Sequence, residues 1–171
     1  NKLLQSCHGM SHANSLKEFE RAVRLIHAPG LNIMYGDAQG NIAWWAAAKL
    51  YNRSEDVNPK FVLEGATGRD DQLEFVAFSK NPKAINPEKG YVYSANNQSF
   101  ALVEENGVFL KKGYPGYYLP EDRAKRIVRV LDAKEQFTAK EMEEMALDVT
   151  SSTALEFLKY FEFDKIEKAL L

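Results

Sequence analysis

One cysteine, three histidines and no long apolar run set the first limits on this sequence of 171 residues. With Cys7 alone, no disulfide can close within the chain, and cysteine usage reports nothing about its redox compartment. The segment Ser6-Cys7-His8 does not make a nucleophile and base, because neighbours on a chain normally point apart and no further partner follows. His8 and His12 are four apart and could share a helix face, yet no Glu or further ligand stands beside them, and His27 adds no ligand spacing. No metal centre is therefore expected. A membrane-spanning helix needs about eighteen consecutive apolar residues, which occur nowhere, and the stretch Asn1 to His12 is too polar for a signal peptide. Charge of one sign is lacking too: the net charge of −2 offers no field for nucleic acid or an anionic membrane. Neither is expected as a partner.

What is present is the composition of a globular protein, 45% hydrophobic and 27% charged, in a chain long enough to bury roughly two thirds of its unfolded surface. Ser15-Leu16-Lys17-Glu18 has the form of a capping box, and Leu16, Phe19, Val23 and Ile26 recur at helical spacing until Pro29-Gly30. A helix over 15–27 is expected. Leu31 to Gly36 and Asn41 to Leu50, joined by Asp37-Ala38-Gln39-Gly40, read as an antiparallel hairpin. Within the second run alanines favour helix, while the preceding turn and the two tryptophans favour strand; we read strand.

Residues 51–72, rich in Asn, Asp, Gly and Arg, read as a long surface connection with a short strand at Phe61 to Leu63, and Leu73 to Phe78 reads as another. Asn81-Pro82-Lys83-Ala84-Ile85-Asn86-Pro87 forces an extended, turning path, because a residue before proline is pushed out of the helical region. Gly90 to Asn96 is β-rich and is expected to be a strand with a polar end. A second hairpin is expected from Phe100 to Val103 and Val108 to Leu110 about Asn106-Gly107. The last third is helical in pattern. Pro120 suits a first turn ahead of the apolar face Ala124, Ile127, Val128 and Leu131; Thr138-Ala139-Lys140-Glu141 caps a helix through Leu147; a third runs from Ser152 to Phe161. No repeat or linker divides the chain, so a single α+β unit over 1–171 is the simplest reading.

Most polar or aromatic features have ordinary explanations. Trp44 and Trp45 on an apolar strand are more often packing than substrate contacts, and Glu104-Glu105 and Glu143-Glu144 look like solvated faces, since no carboxylate is placed opposite them. Asn96-Asn97 reads as a turn, or as a carboxamide donor aimed at a developing negative charge; the bare residues do not choose between these. Asp122-Arg123 by default is a surface charge pair of little energetic weight.

The order of motifs nevertheless resembles the penicillin acylase family of N-terminal-nucleophile hydrolases. The landmarks are Tyr35-Gly36-Asp37-Ala38-Gln39-Gly40-Asn41-Ile42, Asn81-Pro82-Lys83 with Asn86-Pro87, and Gly90-Tyr91-Val92 running into Asn96-Asn97. They continue with Tyr114-Pro115, Asp122-Arg123 with Arg126-Ile127, and Thr138 with Glu141, Asp148 and Ser151. Each is weak alone; their order along 31–151 is specific.

The resemblance implies a piece of a four-layer αββα sandwich built from both chains of a self-cleaved precursor. It also implies an amidohydrolase acting on small-molecule linear amides, exported to the periplasm or beyond. The family's nucleophile is the serine at the new N-terminus of the β chain, with its own α-amine as base. That serine is expected to lie outside these residues, which alone would then turn over no amide. By resemblance the oxyanion asparagine falls on Asn96 and the functional arginine on Arg123, while Ile42 borders the acyl pocket with Trp44 on the same face. No cofactor is implied by these residues: where some relatives carry an acidic calcium ligand after Tyr114-Pro115, Gly116-Tyr117-Tyr118 follows here, which leaves calcium unsupported. The partners implied are the α chain and the rest of the β chain of the same precursor. Strand edges exposed in an isolated piece would favour self-association. The rival reading is a non-catalytic relative that binds or scaffolds.

Overall fold

Ser15 opens a helix as the sequence predicts: its Oγ accepts the Glu18 amide at 3.2 Å, and the Glu18 carboxylate accepts the Asn14 amide at 2.8 Å, which satisfies amides the helix itself leaves bare. The computed structural model describes residues 2–71, 73–105, 108–113, 118 and 120–161. Packing divides the chain into two units, Asn1–Ser94 with Gln98–Tyr118, and Ala95–Asn97 with Leu119–Leu171. The Asn106-Gly107 turn and the Tyr114 to Tyr117 landmark lie outside the described residues.

The first unit begins with a helix the sequence reading lacked, α1 (Leu3–Ser11). Serine, histidine and glycine are poor helix formers, and tertiary contact decides instead. Ser6 is buried and donates its hydroxyl to the Ala22 carbonyl at 2.7 Å. A Cβ at Gly9 would lie 2.9 Å from that of Ala22, so glycine sets how closely α1 approaches α2 (Leu16–Val23). α2 stops short of the expected residue 27, because the amides of Leu25 and Ile26 turn back to the carbonyls of Ala22 and Val23 at 3.0 Å, the tighter closure typical of a last turn.

β1 (Leu31–Gly36) and β2 (Ile42–Ala47) pair antiparallel, with Gly36 opposite Ile42 and Leu31 opposite Ala47. The ambiguous alanine run is therefore strand. Its alternation is clean: Ala43, Trp45 and Ala47 are fully buried and form a core with Val23 and Ile26, while Ile42, Trp44 and Ala46 face the other way, half-buried. Phe19, Ile33, Tyr35 and Phe78 pack around that core. β3 (Lys83–Ile85) pairs with the far side of β2, so β2 is central. The proline-flanked path expected to be merely extended thus supplies an edge strand, the place where a neighbouring proline is tolerated.

Three expected strands are corrected. Phe61 and Val62 are exposed and outside any ladder; polar local bonds hold this loop, such as Asn58 Oδ1 accepting the Lys60 amide at 3.0 Å. The segment from Leu73 contributes one bridge, Tyr51 to Phe75, and then a 3₁₀ turn over Phe78–Lys80. Residues 90–96 join no strand: β-propensity is realised only where a ladder forms. The second hairpin forms as β4 (Phe100–Glu105) and β5 (Val108–Gly113), longer than expected.

The second unit is helical, with α3 (Asp122–Leu131), α4 (Ala139–Ala146) and α5 (Ser152–Leu158). Pro120 stands ahead of the Glu121 cap and not in the first turn. Ala124 and Leu131 are the buried positions of α3, as the periodicity predicts. The Thr138–Glu141 capping box forms in full, Thr138 donating its amide to the Glu141 carboxylate at 2.8 Å and accepting the Glu141 amide at 3.3 Å.

Candidate functional site

Asn96 has a backbone φ of 59°, the left-handed region that asparagine tolerates better than other side-chain-bearing residues. Its neighbours fix that bend: the Asn97 Oδ1 accepts the Ala95 amide at 3.1 Å, and Ala95 is buried. Asn97, the second of the pair, is thus used locally, while Asn96 is exposed.

Arg123, in the first turn of α3, reaches back to this bend. One guanidinium nitrogen, Nη2, donates to both the Ala95 carbonyl and Asn96 Oδ1, each at 2.8 Å. The chemistry of the donor decides the orientation of the amide. A guanidinium has no acceptor, so the atom facing it is the carboxamide oxygen, and the Asn96 Nδ2, with both hydrogens, is turned away. Nδ2 has no partner among the described residues. The positive charge on the oxygen end also polarises the amide and strengthens its N–H groups as donors. The result is an exposed, oriented, neutral hydrogen-bond donor backed by a fixed cation.

Asp122 and Arg123 are not a charge pair. Asp122 Oδ1 accepts the Thr153 amide at 2.6 Å in the first turn of α5. That backbone bond, with the side chains of Ser151 and Thr153 and the Ser152 amide, holds the carboxyl below its usual range. Asp122 therefore anchors the start of α3 to the start of α5, and Lys125 pairs with Glu156 one turn on at 3.6 Å. Alternation of neighbouring residues about a helix start sends the carboxylate one way and the guanidinium the other. Sequence reasoning missed this role for Asp122; the Ser151-Ser152-Thr153 run, an N-cap opening a helix, is the signal that could have found it.

Ile42 and Trp44 lie in the other unit, on the sheet face opposite the helices. Trp44 donates its indole N–H to Asn32 Oδ1 at 2.9 Å, and Met34 and Ala84 stand opposite it on the flanking strands. The pair is brought to one face, as strand alternation requires. A cavity of about 250 Å³ lined by Asn32, Ala46, Leu50, Pro82, Ser99 and Tyr118 opens at the far end of this strand pair.

Four further polar residues hold the strands. Asp37 accepts from the Tyr35 hydroxyl at 2.9 Å, the Gln39 amide at 3.0 Å, and the Asn41 amide and side chain at 2.8 Å; the Asn41 side chain contributes most to holding its carboxyl below the usual range. Asn86, at φ 45°, accepts the Ile42 amide and donates to Asn41 Oδ1, both at 2.9 Å. Asn81, 3% exposed, donates to the carbonyls of Ala46 and Ala48 at 3.0 and 2.9 Å. The landmarks Asp37, Asn41, Asn81 and Asn86 are thus structural clamps. Among the described residues no three His, Cys, Asp or Glu side chains converge on a point that would hold a metal.

The penicillin amidase family model matches residues 1–170. Penicillin G acylase from Escherichia coli is 28% identical over 158 residues, covering 89% of this chain but 16% of that protein. Among solved structures, a thermostable penicillin G acylase from Alcaligenes faecalis superposes with a TM-score of 0.66 over 84% of this chain and 24% of that one, at 24% identity, a likeness of fold. The α+β arrangement described above is thus the fold found in that penicillin G acylase. The chain spans a small part of the length of each of these relatives.

Proposed function

Because the chain belongs to the penicillin amidase family, we propose that it is an interior part of the β-subunit catalytic domain of an acylase that cleaves linear amides, with Asn96 as side-chain donor to the oxyanion. The single observation that carries this reading is the Arg123 bond to Asn96 Oδ1, which leaves the Nδ2 hydrogens free for substrate.

In this reading the nucleophile is an N-terminal serine outside these residues. Its α-amine, with an ordinary pKa near about 8, takes the hydroxyl proton without need of a histidine. The serine oxygen adds to the amide carbon and the carbonyl oxygen becomes an anion, which Asn96 Nδ2 and a backbone N–H elsewhere stabilise. The amine leaves with a proton, an acyl-enzyme remains, and water attacks through a second oxyanion to release the acid. Asn96 acts twice in each cycle. Arg123 touches no reacting atom; it is a positioning residue that acts by holding Asn96. By family likeness Ile42 and Trp44 are assigned to the wall of the acyl pocket. The remainder of the precursor supplies nucleophile and second donor, and export to the periplasm or outside follows by family likeness.

The test is Asn96→Ala in the full-length precursor. Loss of one preorganised oxyanion donor costs about 3 kcal/mol in the barrier, a fall of about 10²–10³-fold in kcat. Precursor cleavage and KM serve as controls on assembly and binding. Normal turnover of a linear amide by a correctly processed Asn96→Ala enzyme would sink the assignment.

A further inference from the structure

At the C-terminal end of α1 two imidazoles stand together on the solvent side. His8 and His12 are both exposed, and their rings stack with centroids 4.2 Å apart and planes 19° from parallel. Proton accounting fixes the tautomer of His12. The Ser11 hydroxyl hydrogen goes to the His8 carbonyl at 2.9 Å; Ser11 Oγ lies 3.0 Å from His12 Nδ1, and that nitrogen lies 2.9 Å from the same carbonyl oxygen. A carbonyl has no proton to give and Ser11 has spent its own, so both contacts are favourable only if Nδ1 carries the hydrogen. In the neutral ring Nε2 of His12 then carries the lone pair. A histidine that binds a metal is held in this way, with one ring N–H on a backbone carbonyl and the other nitrogen free.

The His8 ring has no hydrogen-bond partner among the described residues. The terminal torsion of an exposed histidine is broad, so the stacked rings can splay until two nitrogens converge. The site also sits at the carbonyl end of a helix, which favours a cation. Burial of Ser6 and the close approach of Gly9 to Ala22 keep α1 in place while His8 and His12 face outward. We propose that His8 and His12 form a two-imidazole site for a borderline divalent transition ion, Zn²⁺ or Ni²⁺, with water completing the coordination shell. With no third protein ligand among the described residues, it is an open, exchangeable site and not a structural zinc centre. A bound ion bridges the last turn of α1 to its cap and stiffens that turn.

The experiment is calorimetric titration of the full chain with Zn²⁺ near neutral pH, repeated in His8→Ala, His12→Ala, Cys7→Ser and His27→Ala. One saturable site is expected, weakened at least about tenfold by either of the first two substitutions and unchanged by the last two. All four residues lie outside the core cluster, and far-UV circular dichroism checks that each variant keeps its helices. Ring nitrogen NMR is expected to find neutral His12 with the hydrogen on Nδ1, and the metal-induced shift on Nε2. The proposal is overturned by absence of saturable binding, by binding that survives the paired histidine substitution, by loss of binding in Cys7→Ser, or by hydrogen on Nε2.

Discussion

Asn96 carries its weight through which end of one small amide faces outward. The same side chain turned over would present an acceptor to a developing anion and oppose the reaction. Arg123 removes that freedom, because it can only donate. Asn96→Asp separates donor from shape: the variant keeps size and keeps a partner for Arg123, but has no N–H to offer. Its kcat in the full-length enzyme is expected to fall as far as that of Asn96→Ala, about 10²–10³-fold. Retention of activity above a tenth of the parent enzyme would mean that Asn96 acts by filling space. Of the residues the family resemblance marks, Asn96 and Arg123 meet at 2.8 Å, although 27 positions separate them. Local pattern could not reach that contact, since neither residue's neighbours encode a bond of such range; the order of distant motifs did. The roles of Asp122 and Asn81 were hidden for the opposite reason, that a single polar residue in a turn-rich stretch looks the same whether it is solvated or clamped.

Elements with their own signals were legible, and elements that depend on a neighbour were not. Ser15 and Thr138 begin helices in the structure as the sequence predicts, because a cap is written within a few residues. α1 and β3 exist by contact, α1 through Gly9 and Ser6 against α2, β3 through the edge of β2, and neither has a periodic stripe to reveal it. The strand expected at 90–96 joins no ladder, and β-propensity is realised only in pairing. Asn81 tests how much such a clamp holds. Asn81→Ala leaves the carbonyls of Ala46 and Ala48 without its donor, and is expected to destabilise the first unit by about 2–3 kcal/mol in denaturant titration; a change under about 0.5 kcal/mol would contradict the clamp.

The helical unit has a pH signature. Asp148, held to about 2 chiefly by the Thr150 bonds and then by Arg126, and Glu141, held to about 2 chiefly by Lys134 and then by Thr138, are both lowered in the fold. Their stabilisation is complete above the ordinary carboxylate range and is lost as pH falls through the folded values. Helicity of 122–158 is expected to hold from neutral pH to about 4.5 and to decline between about 4 and 2. Asp148→Asn is expected to flatten that decline; a midpoint above pH 5 in the parent chain would refute the assignment.

At the scale of the whole molecule, composition gave no reason to expect nucleic acid or a membrane as partner and identified no reaction, and the fold class alone would not have done so either. The family came from motif order, and the structure adds a physical reason for two of those motifs: a bent asparagine at one end, a helix-borne guanidinium at the other. In the proposed reading, acyl preference would depend on the wall around Ile42 and Trp44 together with residues from the rest of the precursor, and so would belong to the assembled enzyme. The central claim is narrower and can be isolated. If Arg123 works by holding Asn96, the two substitutions must not add. The decisive measurement is kcat for a linear amide in full-length Asn96→Ala, Arg123→Ala and the double variant. Each single change is expected to lower kcat strongly, and the double variant to lie within about threefold of Asn96→Ala, a coupling of more than about 1 kcal/mol. Losses that simply multiply would contradict the account, because Arg123 would then act on the reaction by a route that does not pass through Asn96.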